Sequence, residues 1–208
     1  MSEEAWLREA DPHELIQLIA RHFVISRRKL RHFVCTCVRH QLPAQIERAE
    51  AEVLAFAERI ADDEVNVGSD DWAVLHPELE ERTGIGRGLS SSRAGLLQFT
   101  VGDDIYDEAH WVLASLKDSG ADAVLPRGGL REIFGNPFRP VDFAPWRTGT
   151  AVSLARQLYE SRDFSALPIL ADALQDAGCD DTDVLGHCRG NGPHVRGCWV
   201  VDGVLGKG

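Results

Sequence analysis

Thiols and imidazoles crowd toward the end of the chain, at Cys179, His187, Cys188, His194 and Cys198. Cys179, Cys188, His194 and Cys198, read as C-x8-C-x5-H-x3-C, have a spacing close to that of small Cys3His zinc modules, with the order of the last two ligands exchanged. Zinc prefers a soft set of thiolates with one imidazole, and a closed shell of four protein ligands makes the ion structural rather than catalytic. His187 can stand in for a Cys or supply a hydrogen bond from outside the shell. The competing reading is plain packing, because cysteine is among the most buried residue types and behaves as a small hydrophobe. A redox pair is a third reading, weakened by the absence of any C-x-x-C.

Two further groups have the residue types of a binding surface. Between Leu15 and Ile46 no acidic residue occurs, while Arg21, Arg27, Arg28, Lys29, Arg31 and Arg39 do; this segment holds +6, and since the chain totals -11 the remainder holds -17. Arg27, Arg28, Lys29 and Arg31 on one helix thus form a candidate docking face for a nucleic-acid backbone, an acidic segment of the same chain or a second copy. The bland alternative is a solvated helix face, and no aromatic residues interleave in the way single-stranded nucleic acid requires. The segment IFGNPFRP is the other group: its prolines stiffen a turn that can present Asn136 and Arg139, with Arg131, to a ligand, or serve as a connector plugged by Phe134, Phe138 and Trp146.

Catalytic patterns are missing. The sequence has no Walker-type phosphate loop, dinucleotide glycine fingerprint, His-Glu-x-x-His or Gly-x-Ser-x-Gly. Gly84, Gly86 and Gly88 make only a glycine-rich loop with no strand before it. His110 near Asp107 and His187 near Asp183 lie within one helical turn of a carboxylate, a spacing common by chance.

These side chains must be held by helices. Asp11 and Pro12 open one that carries Leu15, Ile16, Leu18, Ile19 and Phe23; Ser26 caps a second with Leu30, Phe33, Val34, Cys37 and Val38 on one stripe and Cys35 off it. Pro43 starts a third, and the pattern fades from Val67 to Ser92. Helical periodicity returns over Ile105 to Leu116, with Gly120 as a stop and Gly102 breaking the stretch before it. Residues 125–146 read as a loop. Ala151 to Tyr159 and Leu167 to Ala177 then read as an antiparallel hairpin joined by Glu160 to Asp163 and closed at Gly178. A helix starting at Pro193 would set His194 and Cys198 on one face. No alternating strand series occurs, so the expected fold is all-α: a compact multi-helix domain with a C-terminal helical hairpin module. Its expected segments are 1–66, three helices; 67–126, a variable middle with one or two helices; and 127–208, the C-terminal module.

Composition agrees. The 208 residues are 44% hydrophobic and 26% charged, enough to bury a core of their own without disulfides. A net charge of -11 argues against general adhesion to nucleic acid or anionic membrane. No apolar run is long enough to span a bilayer, and the start MSEEAWLREADP is acidic, so the expected location is the cytoplasm.

Three stretches, EEAWLREADPHELI with RRKLRHFVCTCVR, LREIFGNPFRPV, and DFSALPILADALQDAGCDDTDVLGHCRGNGPHVRGCWVVDGVLGKG, resemble an uncharacterised protein family expanded in planctomycete bacteria, marked by FGNPFRP and HCRGxGxHVRGCWVVD. The resemblance covers about the first 40 residues and the last 80, and it implies no activity or catalytic residue. Members often carry a further Cys after the C-x-C, where this chain has Val38, which argues against a metal site at Cys35 and Cys37. The expected function is a non-catalytic interaction or regulatory protein acting on a protein partner, with a structural zinc as its candidate cofactor. A metal-dependent hydrolase using the C-terminal Cys and His cluster is the alternative, and nucleic-acid binding through the basic second helix a further one.

Overall fold

The computed structural model describes residues 3–8, 11–42, 48–65, 77, 93–102, 104–118 and 124–207. Among them every regular element is helical and no strand occurs, so the protein is all-α. In chain order the helices are α1 (Glu3–Arg8), α2 (Pro12–His22), α3 (Arg27–Gln41), α4 (Arg48–Ala61), α5 (Arg93–Val101), α6 (Ile105–Asp118), α7 (Val124–Phe134), α8 (Gly149–Ser161), α9 (Leu167–Asp176), α10 (Thr182–Arg189) and α11 (Trp199–Leu205). Short 3-10 turns occupy Ala144–Trp146 and Phe164–Ala166. Among the described residues no helix is long and apolar enough to cross a membrane. The expected start at Pro43, the glycine-rich loop at Gly84 to Gly88 and the stop at Gly120 lie outside the described residues.

The chain divides into two compact units, one of Ala10–Pro126 and one of Met1–Glu9 with Arg127–Gly208. The expected segments 1–66 and 67–126 thus fall together, apart from the first nine residues, which belong with the C-terminal segment.

In the unit Ala10–Pro126, Asp11 accepts from the His13 amide (2.8 Å) and Ser26 from the Lys29 amide (3.3 Å), so both expected N-caps form. α3 is packed by α4, α5 and α6. Three neighbours cover more than one stripe, and Cys35, Arg31 and His32 are buried together with Cys37. Burial, then the neighbouring Cys35, pushes the Cys37 thiol up. Arg31 donates to the Thr100 (2.6 Å) and Gly102 (2.9 Å) carbonyls at the end of α5, satisfying acceptors a helix end leaves over. Arg28 pairs with buried Asp62 at 2.9 Å and Arg39 with Glu58 at 3.0 Å. The solvated-face alternative therefore fails at Arg28 and Arg31, and Arg28 meets an acidic residue of the same chain. Arg27 and Lys29 lie in the first turn of the same helix.

The unit containing the C-terminus begins its main part with α7, which corrects the reading of residues 125–146 as a loop. Pro126 falls in the first helical turn, where amides have no intrahelical acceptor and a proline is tolerated. The helix ends at Gly135, whose φ of +64° takes the left-handed turn. The two expected helices form as α8 and α9 and pack on each other. Thr148 caps the first by accepting from the Ala151 amide (3.2 Å). Their inner faces join Val184 of α10 and Val200, Val201 and Val204 of α11 in one buried cluster. The second correction concerns Pro193: residues 190–198 form no helix, only bends, a turn and irregular chain, and a helix starts only at Trp199, with Cys198 at its N-cap.

Candidate metal centre

Four donor atoms, from Glu132, His187, His194 and Cys198, lie within 4.8 Å of one another. Glu132 comes from α7, His187 from α10, His194 from the chain between α10 and α11, and Cys198 from the N-cap of α11. His187 Nε2 is 3.2 Å from Cys198 Sγ and 3.3 Å from Glu132 Oε2; His194 Nδ1 is 3.3 Å from each Glu132 oxygen. A tetrahedral ion bound at zinc distances spaces its donors by about 3.3–3.6 Å. The N–O separations of 3.3 Å fit such an edge, the N–S separation of 3.2 Å is shorter than the about 3.6 Å of a zinc N–S edge, and all four donors fall within 4.8 Å.

The donors are also the right atoms. His194 Nε2 lies 3.3 Å from the Gly190 carbonyl, to which it can only donate, so Nδ1 faces the carboxylate as an N–H donor when the ring is protonated and as a lone pair when it is neutral. A lone pair facing an anion is repulsive unless a proton or a cation sits between them. Glu132 is held by the Val195 amide, which donates to Oε1 (3.3 Å). The Glu132 side chain is 4% exposed, His194 10% and His187 17%; Cys198 is fully buried.

Electrostatics pulls the two imidazoles apart. Hydrogen bonding to Glu132 raises the His194 pKa against burial, whereas burial lowers that of His187 against the same carboxylate. Burial also raises the Cys198 thiol well above its usual value; nearby Glu132 adds to this, and the Val201 and Val200 amides oppose it. A thiolate there needs a cation.

Of the four ligands expected from sequence, His194 and Cys198 belong to the group, while Cys179 and Cys188 lie outside it, both buried. Successive helical residues point about 100° apart, so with His187 turned to the cluster its neighbour Cys188 turns into the core. There burial, followed by the charge of Glu132, pushes its thiol up to about 12. Cys179 follows Gly178 (φ +92°), and its amide donates back to Leu174 O (2.9 Å). Glu132 was missed because its segment reads as a loop, yet it sits inside LREIFGNPFRPV, one of the stretches that carry the family resemblance. The other expected binding residues, Asn136 and Arg139, both contact Glu3.

Gly135 supports the centre from behind. A Cβ there would lie 2.9 Å from Trp199 Cδ2, and the Trp199 ring packs at 5.3 Å against that of His187. Gly135→Ala is expected to cost at least about 1–2 kcal/mol from the left-handed backbone alone, and to weaken metal binding by moving Trp199 into His187. A urea titration and a zinc titration check both; an unchanged urea midpoint counts against the packing.

The pH dependence of His194 gives a further test. Its folded pKa is raised above the unfolded value of about 6.5, so in metal-free protein its stabilisation is present below that value and lost as pH rises through the folded pKa. With zinc the sign reverses, because protons compete with the metal and binding strengthens as pH rises. His194→Gln is therefore expected to cost more stability at pH 5 than at pH 8 in chelator, and more at pH 8 than at pH 5 with zinc. Urea midpoints at the two pH values read this directly.

No protein-family model, curated protein or solved structure matches the chain. The class defined here is thus an all-α protein whose C-terminal unit gathers a candidate metal-binding group.

Proposed function

We propose that the protein is a non-catalytic interaction protein whose C-terminal unit is fastened by a structural zinc ion on Glu132, His187, His194 and Cys198. The observation that carries this reading is the convergence, within 4.8 Å, of two buried and two partly buried donors from four separate stretches of chain. Charge supports it: one carboxylate, one thiolate and two neutral imidazoles cancel a divalent ion, and buried charge is tolerable only when compensated. Nitrogen and sulfur donors favour zinc over calcium or magnesium. A fourth protein ligand leaves no open position for substrate or activated water, which is why the structural role is preferred to a hydrolase. Elemental analysis of the full-length protein tests the reading. One zinc per chain is expected; protein that carries no metal as isolated, binds none on addition and melts identically in chelator would end it.

A further inference from the structure

The stretch singled out in the sequence as a ligand-presenting loop does hold something: the chain's own first helix. Arg131 donates to the Trp6 (2.6 Å) and Leu7 (3.1 Å) carbonyls, and its guanidinium lies 5.8 Å from the centre of the Trp6 ring. Asn136 Nδ2 donates to Glu3 Oε1 (2.6 Å), and Arg139 pairs with both Glu3 oxygens (2.5 and 3.2 Å) while also lying 3.6 Å from Asp183. Trp6 is 1% exposed.

These contacts read one short motif, Glu-x-x-Trp in helical form, at both ends: the acidic side chain near its start and the free carbonyls near its end. α1 has six residues, fewer than the roughly 12–15 an isolated helix needs, so its helicity depends on the cradle. The cradle is remote in sequence. Its residues follow their α1 partners by 124 to 136 positions; α1 precedes α2 in sequence, and α2 belongs to the other unit. A second copy presents the same motif to the same cradle. Exchange of an identical element is a low-cost route to a dimer.

We propose that Arg131, Asn136 and Arg139 form a docking cradle for a Glu-x-x-Trp helix, and that its occupant in trans is α1 of a second copy of this chain. The inference rests on reading the chain as an interaction protein but not on the metal.

The test is a charge exchange in full-length protein. Glu3→Arg and Arg139→Glu each place like charges in their own cradle, and reciprocal exchange between them restores an opposite pair in both. Light scattering is expected to give a species of twice the chain mass in the equimolar mixture and not in either variant alone. Folded variants that stay at the mass of one chain after mixing overturn the proposal. A labelled peptide of residues 1–10 titrated with wild-type chain needs no folded variant. Its anisotropy should rise with chain concentration, at least tenfold more weakly for the Trp6→Ala peptide; no rise, or equal rises, overturns the cradle. Peptide binding without a mixed dimer assigns the cradle to another protein's helix and overturns the second copy as occupant. Zinc per chain measured on the same samples separates the two readings, since dimer exchange in protein that binds no metal sinks the metal alone.

Discussion

Chelator is expected to unfold the C-terminal unit of the full-length protein, and Cys198→Ser to do the same without chelator. A structural zinc contributes apparent free energy on the order of 10 kcal/mol at neutral pH, comparable to the whole stability of a domain. Its ligands come from α7, α10, the following loop and the cap of α11, so losing the ion releases three helices from one another. Serine nearly keeps the size of the thiol but loses the soft bond, and burying its hydroxyl would by itself cost only about 1–3 kcal/mol. Cys188→Ala and Cys179→Ala supply the contrast. Both thiols lie in the core outside the donor group, so each change should cost about 1–3 kcal/mol and leave one zinc per chain. Elemental analysis and melting curves with and without chelator check all three variants. Zinc lost equally from Cys188→Ala and Cys198→Ser would mean that the cysteine set read from the sequence holds the ion.

That contrast shows where the sequence was legible. Helices whose ends carry caps and whose faces repeat cleanly were readable: Asp11 with Pro12, Ser26, and the two stripes that became α8 and α9. α7 was not, because Pro126, Gly128 and Gly129 imitate a loop, and a helix that starts on its proline is recognised only through the packing that stabilises it. With α7 hidden, Glu132 had no element to project it, and a carboxylate is in any case a weaker signal of zinc than a thiol. His187 and Cys188 are adjacent in sequence, and residue type favoured the cysteine; the phase of α10 reversed the choice. Charge left the partner open among a nucleic acid, an acidic segment of the same chain and a second copy. The partners are remote in sequence, which is why spacing alone could not choose: Asp62 for Arg28, as the same-chain option has it, and the carbonyls at the end of α5 for Arg31.

Leu170→Asp and Arg28→Ala are, for that reason, both expected to be severe, through different physics and in different units. Leu170 sits fully buried on α9 among Ala151, Leu158 and Leu174. Replacing it removes a large apolar side chain and puts a carboxyl where nothing in the cluster compensates it, a loss of about 4 kcal/mol or more even if the new acid stays protonated. Arg28 would be nearly silent on a solvated face. Instead its side chain is 12% exposed and pairs with Asp62, which is 0% exposed and has His32 Nε2 at 3.6 Å as a further neighbour. Removing one partner of a buried ion pair costs about 3–5 kcal/mol, because the remaining charge keeps its desolvation penalty, and His32 can offset part of it only when protonated. Hydrogen exchange resolved by helix should show lost protection in α8 to α10 for Leu170→Asp and in α3 and α4 for Arg28→Ala. A wild-type urea midpoint for Arg28→Ala would mean that the Arg28–Asp62 pair does not hold the unit Ala10–Pro126 together and that the basic helix is a solvated surface after all.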